Sequence, residues 1–391
     1  FETQPTLVWN EFPGHHNDAY VGYKVGASDF FGDGQNDVVL MANRLDLNVG
    51  YYNDDTYSWD EKKCKNKSDV GGVFVFSSTP GSELPSTEPD FVFYSDKTGG
   101  RLQALAANLD YNGDGHQDLV VSSGDWDYTG LKNAGGISFV KGRSTATKRE
   151  ILCVPDAHFM GPSAGVRMGI SLVGMGDLDG DGCDEVAVGA YLEDLGLTDQ
   201  GTVRIIYGWG SKCATAQPRV ALLASGAKDS ESGIDLAGGK DIDGDGLADL
   251  VVGAPDYRED GKYYGAVFLI PGSYLASIPA VGLTDGQQVP AQAAHPYVEP
   301  GSLGFWKVVG LRENERFGWG VSMVEGLGAT GVAVAASAGG DKNGLEYSGG
   351  LELFEYRNNS AKPGLQGKPV VVMSGESYAV GGYLGRVSAG A

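Results

Sequence analysis

The feature that most restricts the fold of this chain is a short acidic pattern that recurs four times, each time followed by an apolar run. The copies begin at Asp29, Asp110, Asp177 and Asp241, and the last one reads DIDGDGLADLVVGAP. A repeat of this kind predicts units of one structure, stacked so that neighbouring units bury each other's apolar faces. The chain is therefore expected to form one repetitive domain.

The unit between successive acidic patterns has the composition of four short β-strands. Each acidic pattern and its apolar run are followed by a Gly-rich polar loop and a second apolar run, such as GTVRIIYG or GAVFLIPG. These runs are short and lack a helical period. Four antiparallel strands joined by tight turns are typical of one propeller blade, and closing the blades into a ring protects their edges. The predicted fold class is all-β, a β-propeller of four-stranded antiparallel blades.

Five full repeats and the start of a sixth are predicted. The fifth, which contains FGWGVSMVEGLGATGVAVAAS, keeps the strand pattern but has lost the acids. The approximate boundaries are 20–98, 99–165, 166–230, 231–314, 315–380 and, for the partial repeat, 381–391. Residues 1–19 include the apolar segment Thr6–Trp9, which is predicted to be a strand that completes the last blade and closes the ring.

Two long segments interrupt the repeats, Asn43–Val70 in the first and Ser277–Asn314 in the fourth. Long loops on a rigid scaffold commonly carry binding residues, so both are candidate partner surfaces. The first segment carries four aromatic residues that would either stack on a sugar or protein partner or pack locally: Tyr51, Tyr52, Tyr57 and Trp59.

The acidic pattern has the spacing of a calcium-binding loop. Counted from the first acid, positions 1, 3 and 5 carry Asp or Asn, position 6 is Gly and position 9 is Asp or Glu, while position 7 can add its carbonyl. Hard oxygen donors at this density suit Ca²⁺ better than Mg²⁺, zinc or copper. Three sites are predicted, with the ligands Asp110, Asn112, Asp114, His116 and Asp118; Asp177, Asp179, Asp181, Cys183 and Glu185; and Asp241, Asp243, Asp245, Leu247 and Asp249.

The first copy has an incomplete ligand set. Phe31 occupies position 3, so a fourth calcium site in this copy would need water or a backbone group in place of the missing oxygen ligand. Its expected ligands are Asp29, Asp33, Gln35 and Asp37. The fifth copy offers only Glu325 and is expected to bind no metal.

Two alternatives compete with this interpretation of the acidic pattern. An EF-hand loop needs a bidentate acid at position 12 and flanking helices. Position 12 is instead apolar and lies in a β-type run in every copy, at Leu40, Val121, Val188 and Val252. Solvated acidic turns also use Asp and Gly, but three nearly complete copies at repeat positions disfavour this explanation. The pattern therefore predicts a calcium loop that leads into a strand.

Net charge and cysteine content restrict the classes of partner that the chain can bind and the cellular compartment in which it can occur. The net charge of −22 argues against nucleic acid and anionic membranes as partners. No apolar run reaches the length of a membrane span, and no signal peptide is visible at Phe1, so we expect a mature secreted chain without membrane insertion.

Four cysteines, Cys64, Cys153, Cys183 and Cys213, allow two disulfides in any of three pairings in a secreted protein, or else are buried thiols. Two sequons, at Asn66 and Asn358, are glycosylation candidates under the same condition.

FGWGVS at Phe317 and VGAP at Val252 look like the two halves of an FG-GAP repeat, with the acidic pattern between such halves. Over about Tyr20–Ala391 the chain resembles the N-terminal β-propeller of integrin α subunits, and it is also similar to the C-terminal propeller of glycosylphosphatidylinositol-specific phospholipase D. The resemblance implies a seven-bladed propeller with calcium loops on one face and partner binding on another. The count of five repeats and a partial one departs from seven.

The predicted function is recognition or adhesion by a non-catalytic, extracellular, calcium-binding propeller with a protein or glycan partner. Two alternatives remain open: a structural subunit of an extracellular fibre, wall or appendage, and an accessory propeller of a hydrolase or polysaccharide lyase. No catalytic residue is assigned. The one nucleophile-type string, GPSAG at Gly161–Gly165, leads into a strand pattern rather than a helix, and the histidines lack zinc spacing.

Overall fold

The computed structural model describes residues 20–48, 56–60, 63–78, 86, 88–97, 100–128, 130–144, 149–290, 294–296, 306–325, 332–338, 350–357, 364–365 and 371–374. In chain order the elements are β1 (Val21–Ser28), β2 (Asp37–Ala42), β3 (Tyr57–Trp59), β4 (Gly72–Phe76), β5 (Phe91–Tyr94), β6 (Ala104–Leu109), β7 (Asp118–Ser123), β8 (Gly136–Val140), β9 (Arg149–Leu152), β10 (Ala157–Met160), β11 (Leu172–Gly176), β12 (Glu185–Ala190), β13 (Thr202–Tyr207), β14 (Arg219–Ala224), β15 (Leu236–Lys240), β16 (Asp249–Ala254), β17 (Arg258–Glu259), β18 (Lys262–Tyr263), β19 (Ala266–Ile270), α1 (Gly272–Ser277), β20 (Val281–Gly282), β21 (His295–Pro296), β22 (Trp306–Val309), β23 (Phe317–Glu325), β24 (Val332–Ala338), β25 (Gly350–Arg357), β26 (Gly364–Leu365) and β27 (Val371–Ser374). The predicted strand at Thr6–Trp9 lies outside the described residues.

The strands form blades arranged in a ring, as the sequence predicts for a β-propeller. The antiparallel sheets run β1-β2-β4-β5, β6-β7-β8-β10, β11-β12-β13-β14, β15-β16-β19-β22 and β23-β24-β25-β27. The first strand of each sheet packs against the first strand of the next. These five strands together line a cavity of about 350 Å³. The all-β propeller prediction is confirmed, while the seven-blade count and the repeat boundaries stay predictions.

Among the described residues, four of the five apolar clusters lie between neighbouring blades, and the fifth lies within the first blade and the segments packed on it. Val120 and Phe139 of the second blade share an apolar cluster with Val186 and Ile206 of the third. Because a blade is covered on both sides, its middle strands are apolar on both faces. Every residue of β7, β12 and β16 is buried. This explains why each acidic pattern is followed by an apolar run rather than by alternating residues.

An outer layer and a disulfide cover the edge of the first blade. β9 pairs in parallel with β5, and β3 pairs in parallel with β9. The Cys64–Cys153 disulfide joins this layer to the long segment of the first repeat, and the second disulfide is Cys183–Cys213. The prediction of two disulfides is confirmed, with one of the three pairings selected.

The aromatic residues predicted to contact a partner in the first long segment are only partly described. Tyr57 is 7% exposed and donates a hydrogen bond from Oη to the Pro89 carbonyl at 3.0 Å. For Tyr57 the partner-stacking interpretation is therefore wrong and local packing is correct. Trp59 is half-buried, and Tyr51 and Tyr52 lie outside the described residues.

The insertion of the fourth repeat covers the edges of two other blades. β20 and β21 pair with β14 of the third blade. Further along, Gly286 donates to the His158 carbonyl (2.8 Å) and Val289 to the Met160 carbonyl (2.9 Å), both on the outer strand of the second blade. Edges covered in this way cannot pair with other chains. The predicted insertion was too wide, because β22 belongs to the fourth blade itself.

Candidate metal sites

Four acidic loops connect the first two strands of the first four blades. They are loop 1 (29–37), loop 2 (110–118), loop 3 (177–185) and loop 4 (241–249), with positions numbered 1 to 9 in each. Positions 4 and 6 are glycines with positive φ, for example +77° at Gly180 and +86° at Gly182. Glycine adopts this conformation without strain. The loops can therefore curl tightly enough to bring alternate side chains together.

The acid at position 1 holds the backbone that curls around it. Asp177 accepts hydrogen bonds from the N–H groups of Gly180 (2.7 Å), Asp181 (3.0 Å) and Gly182 (2.9 Å). The corresponding acids of loops 1, 2 and 4 also accept a bond from the glycine at position 6. These hydrogen bonds hold each loop in a curled conformation that does not depend on a bound ion.

The acid at position 9 is buried in loops 2, 3 and 4. Asp118, Glu185 and Asp249 are each 0% exposed. Each accepts hydrogen bonds from the N–H at position 2 of its own loop and from the N–H of a glycine one or two residues after the third strand of its blade. Burial raises the pKa of Asp118 and Glu185 to about 8 and that of Asp249 to about 7. A nearby cation would favour the charged form of all three.

Carboxylates converge in loops 3 and 4. In each loop, one oxygen from each of the acids at positions 1, 3 and 9 lies within 4.8 Å of the others; these acids are Asp177, Asp179 and Glu185, and Asp241, Asp243 and Asp249. The Oδ1 atom of Asp179 is buried and has no hydrogen-bond partner, an arrangement that needs a ligand or water to satisfy it. Several carboxylate oxygens lie close together here, and one of them has no hydrogen bond. This arrangement fits a hard divalent cation such as Ca²⁺.

In loop 2 the same backbone arrangement carries an amide at position 3. The side-chain Nδ2 of Asn112 donates to Asp118 at 2.9 Å. Asp110 accepts the N–H groups of Asp114 and Gly115 at 3.1 and 2.8 Å. The loop thus presents two carboxylates and an amide where loops 3 and 4 present three carboxylates.

The position-5 acids do not join these clusters. Asp181 Oδ2 accepts the Ala214 N–H at 2.8 Å, and Asp245 Oδ2 accepts the Ser273 N–H at 3.2 Å. Asp181 instead lies near Cys183 and Cys213, but a disulfide sulfur is no thiolate ligand. The carbonyl ligands at position 7 and the complete ligand sets stay predictions.

Loop 1 differs from the others at position 3, where it carries Phe31 in place of an Asp or Asn. Phe31 is buried, at 7% exposure. In the part of the chain that the structure describes, Asp29, Asp33 and Asp37 do not form a three-carboxylate cluster. Burial raises the pKa of Asp37 to about 6. A calcium site in loop 1 stays a prediction with the weaker ligand set.

Sequence reasoning missed an arginine beside loop 3. The guanidinium of Arg219, at the start of β14, pairs with Asp179 Oδ2 at 2.7 Å and stacks on Tyr207 with 4.8 Å to the ring centroid. No local motif marks this residue, because it reaches the loop from another strand of the blade. Its charge offsets part of the repulsion among the carboxylates of loop 3.

The predicted fold and loops agree with similarities to known proteins. The FG-GAP repeat family matches residues 104–140, 170–206 and 232–270, and each match runs from the first strand of a blade through its acidic loop to the third. The chain is 26% identical to integrin alpha-5 of Xenopus laevis over 61% of its length and 20% of that protein. It is 30% identical to integrin alpha-3 of Cricetulus griseus over 47% of its length and 17% of that protein.

Another relative is an enzyme, the phosphatidylinositol-glycan-specific phospholipase D of Bos taurus. It is 27% identical over 56% of this chain and 26% of the enzyme. The chain therefore spans about a sixth to a quarter of the length of these relatives. The fold and the acidic loops define a β-propeller built from repeated blades. More specifically, the chain carries three FG-GAP repeats and is an integrin-like FG-GAP propeller.

Proposed function

We propose that this chain is a calcium-stabilised recognition or adhesion domain of an extracellular protein. The observation that carries the proposal is the convergence of three carboxylates in each of loops 3 and 4, one of which is a fully buried acid. Bound Ca²⁺ would supply the positive charge that these acids lack. Loops 2, 3 and 4 are the proposed sites, with loop 1 as a fourth, weaker one, and the ligands are those that the sequence predicts.

Three observations support an extracellular location. Both disulfides would persist only in an oxidising compartment. Asn66, in the sequon Asn66-Lys67-Ser68, is exposed and accessible to a glycan, whereas Asn358 lies outside the described residues. The integrin α relatives support the same location. In the described part of the chain, no helix is long and apolar enough to cross a membrane.

A surface suited to a partner lies at the end of the blades opposite the acidic loops. Successive strands are antiparallel, so the turns after the second and fourth strands lie at that end. In the fourth and fifth blades these turns carry an aromatic patch. Its members are Arg258, Tyr263, Leu311, Arg316 and Trp319.

Two arginines of the patch stack on its rings. Arg258 lies 4.1 Å from the ring centroid of Tyr263, and Arg316 lies 4.3 Å from that of Trp319. Leu311, in the turn between β22 and β23, is 54% exposed. Tyr, Trp and Arg are enriched at protein interfaces. We propose that this patch contacts the partner, a protein or a glycan.

Binding of the calcium-loaded chain to immobilised extracellular-matrix proteins and to a glycan array tests the recognition role. We expect binding to one of these classes, with a loss of at least tenfold in affinity in a Tyr263→Ala, Trp319→Ala variant whose calcium content is unchanged. Val281→Ala is the matched control, because Val281 is similarly exposed but lies on β20, which pairs with the third blade and not with the fourth or fifth. Absence of binding to both classes would contradict the proposal.

A second candidate function is suggested by the bovine phospholipase match. In this case the propeller would be the non-catalytic accessory domain of a hydrolase encoded in a longer chain. The GPSAG string gives no support for catalysis within the propeller, because it forms an irregular turn with no helix after it. The complete gene sequence distinguishes the two candidates, since a catalytic domain in the same reading frame would favour the accessory role.

A further inference from the structure

Adjacent acidic loops are joined by the residue at position 8, which is not one of the predicted ligands. In loop 3, Asp184 Oδ2 accepts the backbone N–H of Asp110, the first ligand of loop 2, at 2.7 Å. The Asp184 N–H in turn donates to the Asp110 carbonyl at 2.9 Å. One residue of loop 3 therefore bonds both the N–H and the carbonyl of Asp110, the two backbone groups that flank the side chain of this ligand.

The same connection recurs between loops 2 and 1. Gln117, at position 8 of loop 2, accepts the Asp29 N–H at 2.6 Å through its side-chain oxygen and donates its own N–H to the Asp29 carbonyl at 3.1 Å. Because an amide oxygen serves here where a carboxylate serves in loop 3, the connection depends on an acceptor atom and not on charge.

Loops 2 and 3 are also packed against each other. A Cβ placed on Gly113 of loop 2 would lie 2.9 Å from Cys183 Sγ, so the disulfide of loop 3 fills the space beside this glycine. In addition, Trp209, just after the third strand of the third blade, donates its N–H to the Tyr111 carbonyl of loop 2 at 2.9 Å. The two loops cannot change shape independently.

Loop 4 lacks these hydrogen bonds to loop 3, although Leu247 and Ala248 of loop 4 pack against the apolar cluster that contains Leu178 of loop 3. Its position 8 is Ala248, whose methyl group cannot accept a hydrogen bond from the first ligand of loop 3. Ser273, at the position that corresponds to Trp209, lies in α1 and donates its N–H to Asp245 within its own blade. Among the described residues, neither Ala248 nor Ser273 has a hydrogen bond to loop 3.

We infer that Asp184 is a positioning residue that couples calcium binding in loop 3 to calcium binding in loop 2, while loop 4 binds independently. The inference rests on the proposed calcium sites. An ion in loop 3 orders Glu185 and its neighbour Asp184, and Asp184 then holds Asp110 in place, so that loop 2 loses less conformational entropy when it binds. Charge opposes this coupling, since an ion in loop 3 reduces the negative potential at loop 2. Salt screens this effect between exposed loops, whereas the hydrogen bonds are direct.

Calorimetric Ca²⁺ titrations at 0.15 M salt test the inference on variants that keep two of the three stronger sites each, at calcium concentrations below those that fill the weaker loop 1. Asp243→Ala vacates loop 4 and leaves loops 2 and 3, for which we expect a Hill coefficient clearly above one. Asp110→Ala vacates loop 2 and leaves loops 3 and 4, for which we expect a Hill coefficient no greater than one. Coupling of the usual size changes the second affinity by about 5-fold or more.

Substitution of the positioning residue completes the test. Added to Asp243→Ala, Asp184→Ala should lower the cooperativity while both sites still bind, because only backbone hydrogen bonds and the packing of Gly113 then join the two loops. Asp184→Asn should retain the cooperativity, because the amide oxygen can still accept. In the calcium-free chain, Asp184→Ala should also speed hydrogen exchange at the Asp110 amide. Equal, independent binding by loops 2 and 3 would overturn the inference alone. A wild-type chain that binds no calcium would overturn the proposed function as well.

Discussion

Removal of calcium is expected to lower the melting temperature of this chain by on the order of 10 °C. Each ion that binds only the folded loop stabilises the fold by about 2.7 kcal/mol at a hundredfold excess over Kd, so three sites contribute roughly 8 kcal/mol. With an unfolding entropy of about 2.1 cal/mol/K per residue, each kcal/mol shifts the melting temperature of a 391-residue chain by about 1.2 °C. The buried acids Asp118, Glu185 and Asp249 would then be without a compensating charge at the start of core strands.

Thermal melts with calcium and with EGTA at pH 7 measure this effect. Re-addition of Ca²⁺ should restore the original melting temperature, and Mg²⁺ should restore less of it, because Mg²⁺ retains its water ligands. Glu313→Ala, which alters an exposed acid far from the loops, serves as the control and should show the same calcium dependence as the wild type. Identical melting curves in calcium and in EGTA would refute a stabilising role for the ion.

Glu193→Ala is expected to destabilise the fold by about 3–5 kcal/mol, because it would leave Arg204 buried without a counter-charge. Arg204 Nη1 and Nη2 pair with the two carboxylate oxygens of Glu193 at 2.5 and 2.7 Å, and both side chains are almost completely buried. Thr202 donates to the same carboxylate at 2.6 Å. The pair ties β13 to the turn that precedes it.

Urea denaturation of matched variants tests this prediction. Replacing both partners, as Glu193→Leu with Arg204→Met, should recover most of the lost stability, because no unpaired charge is left. Glu313→Ala removes an exposed ion pair with Lys262, and its effect should be far smaller. A Glu193→Ala chain that unfolds at the same urea concentration as Glu313→Ala would contradict the prediction.

The propeller and its acidic loops could be predicted because their signals are local. Alternate acids with two glycines specify a curled loop within nine residues, and an apolar run after the acid at position 9 specifies a strand covered on both faces. Asp249, followed by LVVGA, carries both signals together. Because both signals recur in successive repeats, they predict the whole set of blades and not only one loop and its strand.

The remaining features depend on residues that meet only after folding. The Cys64–Cys153 disulfide has a sequence separation of 89, and no spacing rule selects it from the three pairings. Asp184 looks like an ordinary acid of the loop until loop 2 is placed beside it. Tyr57 looks like a candidate partner contact in a polar segment, yet the outer layer of the first blade buries it.

The number of calcium ions bound per chain shows whether the acidic loops are metal sites. Chelator-stripped protein, titrated with Ca²⁺ in a calorimeter and checked by elemental analysis, should bind three ions through loops 2, 3 and 4, and a fourth in loop 1 only at higher calcium concentration. Asp243→Ala should reduce that number by one, whereas Glu313→Ala should not change it. Absence of bound calcium from the wild-type chain, with no heat of binding in the titration, would show that the acidic loops are not calcium sites.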